Sequence, residues 1–478
     1  MIVAGLGSAA LSAVVLFRQP LVNNDGVYYL LAAEAYARDG FGAARAVYLW
    51  PFYPVLVSWV AAALRLSTEA AAQLTGAVLL AVTCAAFVAA VRTLGGGRRV
   101  QWLAAAVVLS HPWLNHSRDH VVRDFGVWAF GLLALCALLR FERGRWAGAL
   151  ARWAAHGLAA VLFRPDAAAL MAAAPIALSL RRDRSRRERL IAALAVLVPA
   201  IVVARWAVAW LSSHPYVEVS AGHFRHAAAA LAASFPLPYG REYAPFLLAA
   251  GLAVLPVVKT IKALGIVHAI LAGIGMARAR PANAFHRAAV WATLATAAVP
   301  LYVQAARLLF VESRYTVFAT LVLSLFAPFG AAWLIERGGP RASRVTQGAV
   351  AAVLAGSLAL TLPVRRPSEG HVRAAAAWIR DNGGGARLHT NSLQLAYLSG
   401  SRVDWPLVHA ANVNGPMDGA VMQAGDLWAV RVAPAQDGLR RRLERLRRFR
   451  PRASFAGPDG DAVFVYTCTG AAGCTSGD

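Results

Sequence analysis

Acidic, basic and histidine side chains gather in four polar stretches of this sequence, each next to a long apolar segment. A carboxylate can accept a proton from a hydroxyl group, and Arg and His cations can stabilise a departing phosphate. The combination suits group transfer from a phosphate-linked donor. The residues are Asp25 in the first stretch; His111, His116, Arg118, Asp119, His120, Arg123 and Asp124 in the second; Arg164 and Asp166 in the third; and Arg307, Glu312, Arg314 and Tyr315 in the fourth.

A purely structural explanation also fits these stretches. The Arg side chains can extend from a helix end into water, and the Asp side chains can simply pair with them. Asp25 can also cap a helix predicted over residues 26–38, because Asp before an apolar-periodic run is a favoured N-cap. A carboxylate fixed where an apolar segment meets water is nevertheless costly. Because all four stretches fall on one predicted face, we favour a functional role.

The composition indicates a protein of the membrane. Hydrophobic residues make up 58% of the 478 residues and charged residues only 15%, with a mean hydropathy of +0.51. The apolar runs are too long and continuous for barrel strands, so they predict helices that cross the bilayer repeatedly. A net charge of +24 would suggest nucleic acid binding in a soluble protein. Here most Arg residues lie between apolar runs and set orientation instead, so we expect no nucleic acid partner.

Basic segments alternate along the chain and predict its topology. We expect about 11 transmembrane helices in the inner (plasma) membrane, with the most basic segment, residues 181–189, in the cytoplasm. The N-terminus is then cytoplasmic, and the polar stretches and the C-terminal segment are extracytoplasmic. This requires residues 50–66 to lie on the outer surface as a juxtamembrane helix, and their opening sequence Trp50-Pro51-Phe52-Tyr53-Pro54 is typical of the interface. Residues 212–260 are ambiguous and contain an apolar run that fits a re-entrant segment.

From residue 363 the sequence predicts a small α/β domain outside the membrane. Helices are predicted over 374–380 and 439–448, and strands over 387–390, 428–432 and 462–466. The Arg-rich segment 440–452 is expected to be a solvated face, with contact to anionic head groups as the alternative. The predicted domains are a transmembrane catalytic domain, residues 1–362, and an extracytoplasmic α/β domain, residues 363–478.

The four cysteines give little support for metal chemistry. Cys84 and Cys136 lie in apolar segments and are expected to be packing residues. Cys468 and Cys474 can pair if the C-terminal segment is in an oxidising compartment. No metal-ligand spacing involves them, and no metal or cofactor is predicted.

A series of short motifs resembles the membrane glycosyltransferases of the GT-C class over nearly the whole chain. The resemblance is to a bacterial branch related to protein O-mannosyltransferases, with lipid A aminoarabinose transferase and the RgtA/B/C/D-like lipopolysaccharide glycosyltransferases. The similar segments are Asp25-Gly26-Val27-Tyr28-Tyr29 (a first-loop Asp motif), Trp50-Pro51-Phe52-Tyr53-Pro54 (a Pro-Pro-Leu-Tyr segment), residues 110–124 (a loop ending in a second Asp), Phe163-Arg164-Pro165-Asp166 (an Arg-Pro-Glu break), Glu312-Ser313-Arg314-Tyr315 (a late Arg-Tyr motif) and residues 377–382 (the start of the C-terminal domain).

This resemblance implies an all-α polytopic GT-C-like membrane domain and a sugar donor linked to polyprenyl phosphate. The expected enzyme is an inverting glycosyltransferase that moves the sugar to an acceptor hydroxyl of a lipid, glycan or protein at the outer face. Asp25 would act as general base, and Asp124 would position the acceptor or the base. The expected substrate-binding residues are Arg164, Arg307 and Arg314 for the donor phosphate, with Tyr315, His111, His116 and Arg118.

Two departures from the family pattern bear on which acceptor the enzyme uses. Gly26 stands where several members have an acidic residue, and Trp50 stands where the aminoarabinose transferases have Lys. The second departure argues against aminoarabinose transfer to lipid A. An alternative function is a transporter or flippase of a lipid-linked sugar, which predicts inverted repeats and charges at mid-membrane depth. The sequence has no internal repeat. A non-catalytic scaffold would leave the polar stretches unexplained.

Overall fold

The computed structural model describes residues 1–141, 146–180, 186–187, 190, 194, 201, 205, 219–278, 284–337, 340–363, 369–401, 422–433, 449–457 and 460–470. Helices dominate these ranges. They are α1 (Ile2–Leu16), α2 (Asn24–Val47), α3 (Phe52–Leu64), α4 (Thr68–Thr93), α5 (Arg98–Leu109), α6 (Pro112–His116), α7 (Asp124–Leu139), α8 (Trp146–Phe163), α9 (Ala173–Ser179), α10 (Val219–Ser234), α11 (Pro238–Arg241), α12 (Ala244–Leu264), α13 (Ile266–Arg278), α14 (Ala284–Leu308), α15 (Val317–Ser324), α16 (Ala327–Glu336), α17 (Pro340–Thr361), α18 (Gly370–Asn382) and α19 (Leu393–Leu398), with 3₁₀ helices at Pro165–Ala172 and Ser313–Thr316.

The core of the helical part surrounds α7, whose residues are almost all apolar. This helix packs against α8 on one side and α4 on the other. Its Trp128 and Phe125 are among the largest fully buried side chains. Gly126 allows the close approach, because a Cβ at that position would collide with the ring of Phe163 on α8. The start of α7 and the end of α8, which carry Asp124 and the residue before Arg164, are thereby held together.

Among the described residues, α4, α12, α14 and α17 are long and apolar enough to cross a bilayer. The bent pair Ser313–Ser324 and Ala327–Glu336, with 42° between its halves, is a further candidate. Helix α12 has 21 residues; it begins inside the ambiguous segment 212–260 and continues beyond it to Leu264. Helix α3 has 13 residues, or about 20 Å, which is shorter than the hydrocarbon core. The expected number of crossings stays a prediction, and residues 181–189 lie largely outside the described ranges.

After α17 the chain forms a four-stranded sheet with α18 and α19. The strands are β1 (Leu388–Thr390), β2 (Leu427–Val432), β3 (Phe449–Ala456) and β4 (Ala462–Cys468), in the order β1-β2-β4-β3. The first pair is parallel and the other two are antiparallel. The helix predicted over 374–380 and three predicted strands are confirmed, although the domain boundary at residue 363 stays a prediction. Residues 434–448, with a predicted helix, and Cys474 lie outside the described residues.

Strand β3 was missed, because the sequence suggested a solvated face across residues 440–452. It contains Arg450, Pro451 and Arg452, which are unusual in a strand. Pro is tolerated on an edge strand or at a bulge. The strand lies at the edge of the sheet, and its pairing with β4 shifts register between Pro451 and Ala453.

Candidate active site

The four polar stretches come together in space through seven residues. The side chains of Asp25, Asp124, Arg164, Asp166, Glu312, Arg314 and Tyr315 form a continuous set of ion pairs and cation–π contacts. They come from the first turn of α2, the first turn of α7, the break after α8 and the break before α15. The sequence predicted that these four stretches lie on one face, and the structure brings seven of their side chains into contact.

The outer part of this set joins Asp25 to Arg314. The Arg314 Nη2 atom forms an ion pair with Asp25 Oδ2, and its Nε lies 2.6 Å from Glu312 Oε2 without hydrogen-bond geometry. The Asp25 side chain is 40% exposed and that of Arg314 is 17% exposed. The helix cap at α2 is Asn23, and Asp25 lies in the first turn. Asp25 is therefore no N-cap, and its carboxylate is accessible to a bound molecule.

The inner part joins Arg164 to two carboxylates. Arg164 Nε donates to Asp166 Oδ1 at 2.9 Å, Nη2 pairs with Asp166 Oδ2, and Nη1 pairs with Asp124 Oδ1. The side chains of Asp124 and Arg164 are 4% and 12% exposed. Burial lowers the pKa of the Arg164 guanidinium, but the charges of Asp166 and Asp124 outweigh burial and hold that pKa well above its usual range. Arg164 is thus a permanent cation that both carboxylates share.

Tyr315 connects the outer and inner parts. The guanidinium carbon of Arg164 lies 4.4 Å from the centroid of its ring, and that of Arg314 lies 5.0 Å from it. Arg314 Nη2 also donates to the Tyr315 hydroxyl at 3.1 Å. The same ring therefore contacts both cations.

Aromatic residues of the Trp50-Pro51-Phe52-Tyr53-Pro54 segment fix the geometry of the surrounding loops. Trp50 Nε1 donates to the carbonyl of Leu162 at 2.8 Å, directly before the Arg164 break. The buried ring of Tyr53 packs 6.0 Å from Phe163 and 5.4 Å edge-on from Tyr29 of α2. This motif therefore ties the helix that carries Asp25 to the break that carries Arg164.

Two of the predicted binding residues are buried elsewhere in the helical part. His111 caps α6: its Nδ1 accepts from the Leu114 N–H, and its Nε2 lies 3.0 Å from Thr320 Oγ1. Because the Thr320 hydroxyl donates to the Val317 carbonyl, His111 Nε2 is the donor, which defines a neutral ring. Burial, together with His268, lowers the pKa of His111 well below its usual value.

Arg118 joins the second polar stretch to α1. Its Nη1 donates to the hydroxyls of Ser8 at 3.1 Å and Ser12 at 2.9 Å, and its Nε donates to Asn115 Oδ1 at 2.9 Å. The residue is 3% exposed. These hydrogen bonds fasten a loop to a helix, and they do not bring Arg118 into the set around Tyr315.

The remaining predicted binding residues, His116 and Arg307, do not belong to the set of seven. His116 is exposed, with its ring 4.6 Å from that of Trp113 and 5.9 Å from that of His120. His120 Nε2 lies 3.6 Å from Asp119 Oδ1. Arg307 is half-buried in the last turn of α14. Within the described residues, no three His, Cys, Asp or Glu side chains form a group that could hold a metal ion.

Two cavities adjoin this site. One, of about 40 Å³, lies behind the inner part and is lined by Asp124, Arg164, Tyr315 and apolar residues of α7 and α14. The other, of about 270 Å³, opens where α1, the second polar stretch and the C-terminal α/β unit meet. Its polar lining includes Arg18, Asn23, Asp119, His120, Glu369 and Gln394. Sequence reasoning gave no indication of Gln394, since a single Gln in a remote helix carries no recognisable pattern.

Comparison with known proteins identifies the fold of this chain through its structure. No family model matches the sequence, and no curated protein matches it. The structure is similar to that of the Archaeoglobus fulgidus oligosaccharyltransferase in its apo form, with a TM-score of 0.50 and 13% identity, over 80% of this chain and 57% of that chain. This chain thus spans a little over half of that protein's length.

Two further solved structures are similar at lower scores. Archaeal oligosaccharyltransferase AglB from Archaeoglobus fulgidus, in complex with an inhibitory peptide and a dolichol-phosphate, has a TM-score of 0.48 and 12% identity over 79% of this chain and 57% of that chain. ArnT from Cupriavidus metallidurans bound to undecaprenyl phosphate has a TM-score of 0.42 and 13% identity over 96% of this chain and 97% of that chain. The resemblance stated from the sequence is confirmed at the level of the fold: this chain has the GT-C fold of membrane glycosyltransferases.

Proposed function

We propose that this protein is an inverting glycosyltransferase that moves a sugar from a polyprenyl-phosphate carrier to an acceptor hydroxyl on the outer face of the membrane. One observation carries the proposal: within a GT-C fold, an accessible carboxylate, Asp25, forms an ion pair with Arg314, a residue type that binds phosphate well. A carboxylate and a guanidinium side by side provide a base for the acceptor and a cation for the leaving group.

The residues divide the reaction between them. The acceptor hydroxyl gives its proton to Asp25 while its oxygen bonds to the anomeric carbon from the face opposite the donor phosphate. The bond from that carbon to the phosphate oxygen breaks, and polyprenyl phosphate leaves with the electron pair. Arg314 binds the phosphate oxygens, and a guanidinium fork suits them bidentately. Attack from the opposite face inverts the anomeric centre.

The ion pair between Asp25 and Arg314 sets the order of these events. In the structure each group is the other's partner. A donor phosphate that takes the guanidinium releases the carboxylate for the acceptor hydroxyl. The inner part, with Asp124 and Arg164, then keeps the Tyr315 ring and Arg314 in place, and the larger cavity beside Asn23 gives an acceptor room to approach α2.

The test is direct transfer by purified protein. Polyprenyl phosphates that carry single defined sugars are supplied in nanodiscs, and released polyprenyl phosphate is measured with and without candidate acceptors. Release that requires Asp25 supports a transferase. Passage of an intact lipid-linked sugar across a liposome membrane, without release of polyprenyl phosphate, would instead identify a flippase.

The outer-face placement has its own test. Exposed residues Asp39 on α2 and Asn382 at the end of α18 are each replaced by Cys. Both thiols should react with a membrane-impermeant reagent in intact spheroplasts, because the polar stretches and the C-terminal unit are proposed to lie outside. Reaction at either position only after the membrane is permeabilised would reverse the topology.

A further inference from the structure

The C-terminal α/β unit and the helical part each contribute a residue to the hydrophobic core of the other. Leu21, from the segment between α1 and α2, is 8% exposed and belongs to the core of the C-terminal unit, with Val372, Ile379 and Leu395. In the opposite direction, Leu393 of α19 is 2% exposed and belongs to the core of the helical part. The two parts therefore share a packed interface at the start of α2.

Polar contacts on both sides of Leu21 strengthen this interface. Arg373 of α18 donates to the Pro20 carbonyl at 3.0 Å and pairs with Glu69 of α4 at 2.9 Å. Gln394 Nε2 donates to Asn24 Oδ1 at 2.8 Å, directly before Asp25. Further along α2, the Tyr397 hydroxyl donates to Glu34 Oε1 at 2.8 Å. Helix α19 thus lies along α2 and contacts it at two positions.

The opposite side of the same turn is fixed by the second polar stretch. Asn23 Oδ1 accepts from the Val121 N–H at 2.8 Å. Gly26 has no room for a side chain, since a Cβ there would lie 2.8 Å from Asn23 Oδ1 and 2.9 Å from the Val121 Cβ. The backbone on both sides of Asp25 is therefore held between the second polar stretch and the C-terminal unit, while its side chain remains 40% exposed.

We propose that the C-terminal α/β unit positions the Asp25 carboxylate, with Leu21 and Gln394 as its positioning residues. The inference rests on the proposed function. The carboxylate must lie within hydrogen-bond reach of the acceptor hydroxyl, and a displacement of about 1 Å can cost on the order of 100-fold in rate. An accessible side chain on a short first turn has that precision only if the backbone beneath it is fixed.

The first experiment compares two truncations of the same core. Leu21→Ala and Leu427→Ala each remove one Leu side chain from the core of the C-terminal unit, but Leu427 lies on β2, away from the Asp25 segment. We expect Leu21→Ala to lower kcat at least about 10-fold more than Leu427→Ala. Affinity for undecaprenyl phosphate, measured by fluorescence titration, should stay within about two-fold in both, because Arg314 is untouched. Equal loss of kcat in the two variants would overturn the proposal.

A double-mutant cycle tests Gln394, which also lines the larger cavity. If Gln394 acts through Asn24, then Asn24→Ala and Gln394→Ala should each lower kcat about 3- to 10-fold. The kcat of the double variant should then be no lower than that of either single variant. Gln394→Glu should have a kcat close to that of wild type, since the exposed Asn24 amide can turn and donate to the new carboxylate. Asn382→Ala, an amide truncation in the same unit, is the control with unchanged kcat. Additive losses would show that Gln394 does not act through Asn24, and would overturn its positioning role.

Hydrogen exchange separates this proposal from the proposed function. Amide exchange of residues 24–28, followed by mass spectrometry in nanodiscs, should be faster in Leu21→Ala than in wild type or Leu427→Ala. This result needs no turnover. If wild type releases no polyprenyl phosphate from any donor, the proposed function fails, and exchange still decides whether the C-terminal unit fixes this turn. Unchanged exchange in Leu21→Ala would overturn the positioning role even if the enzyme proves active.

Discussion

The outer and inner parts of the site use the same residue types and differ in the burial of one carboxylate. Arg314 pairs with Asp25 and Glu312, whose side chains are 40% and 50% exposed. Arg164 pairs with Asp124, which is 4% exposed, and holds Asp166, which is 38% exposed, with a bidentate contact. Both cations stack on Tyr315. The comparison indicates that the burial of one carboxylate, Asp124, and not residue type, distinguishes the inner part from the outer part.

Energetics gives the physical reason for this division. Removing one partner from a buried pair leaves an uncompensated charge in a medium that solvates it poorly, so such a pair resists exchange. An exposed pair contributes little to stability because water and salt compete for both ions. A change of partner at Arg314 should therefore cost little, because water reaches the Asp25 carboxylate, whereas a change at Arg164 would leave Asp124 buried without a cation.

The largest expected effect is that of Asp25→Asn on turnover. Asn keeps the shape of the side chain and can hydrogen-bond, but it accepts a proton far less readily than a carboxylate. We expect turnover to fall about 100- to 10,000-fold, with the donor still bound. The measurement is the single-turnover rate of polyprenyl phosphate release, with thermal unfolding of the same preparation.

Asp39→Asn provides the matched control for this change, since Asp39 is exposed on the same helix. It should turn over like wild type. Near-normal turnover of a folded Asp25→Asn variant would end the assignment of Asp25 as the base. The ion pair between Asp25 and Arg314 would then have only a structural role, like the pairs of the inner part.

The next effect is on stability and contrasts the two cations. Arg164→Met leaves Asp124 buried without its partner, which should lower the free energy of unfolding by about 3 kcal/mol. Arg314→Met leaves two carboxylates, Asp25 and Glu312, that water still reaches, and should cost about 1 kcal/mol or less. Reversible unfolding in mixed detergent and SDS micelles measures both. If the two substitutions cost the same, the distinction between a fixed pair and an exchangeable pair fails.

The sequence predicted that the polar stretches share one face, but not which of their residues contact one another. Asp25, Asp124, Arg164 and Arg314 are recognisable because each charge interrupts an apolar pattern. Which Arg binds which Asp depends on distances between segments far apart in the chain. His111 shows the same limit, since its residue type suits a phosphate ligand, whereas its burial against Thr320 appears only in three dimensions. The interface through Leu21 was equally hidden, because one Leu in a short loop has no periodic context.

A moderate effect is expected on donor affinity. Arg314→Ala should weaken binding of undecaprenyl phosphate about 10- to 100-fold, because it removes charge-assisted hydrogen bonds to the phosphate. Arg314→Lys should retain part of the affinity, since Lys supplies the charge but not the planar fork. Fluorescence titration in nanodiscs gives the three dissociation constants. Arg307→Lys, which changes the same residue type on α14, tests whether that cation also contacts the donor. Equal affinity in wild type and both Arg314 variants would remove Arg314 from the phosphate site.

The smallest effect is expected at Tyr315 and tests what connects the two parts. Tyr315→Phe keeps the ring between the two cations and loses the hydrogen bond from Arg314, so donor affinity should fall only about 2- to 5-fold. Tyr315→Leu also removes both cation–π contacts, each about 0.5–2 kcal/mol, and should lower donor affinity further. The inner pair does not depend on the ring for its partners, so the free energy of unfolding should change far less than in Arg164→Met. Donor titration and unfolding of the same two variants provide the measurement. If Tyr315→Leu destabilises the protein as strongly as Arg164→Met, the outer and inner parts are one structural unit, and Arg314 is not free to exchange its partner.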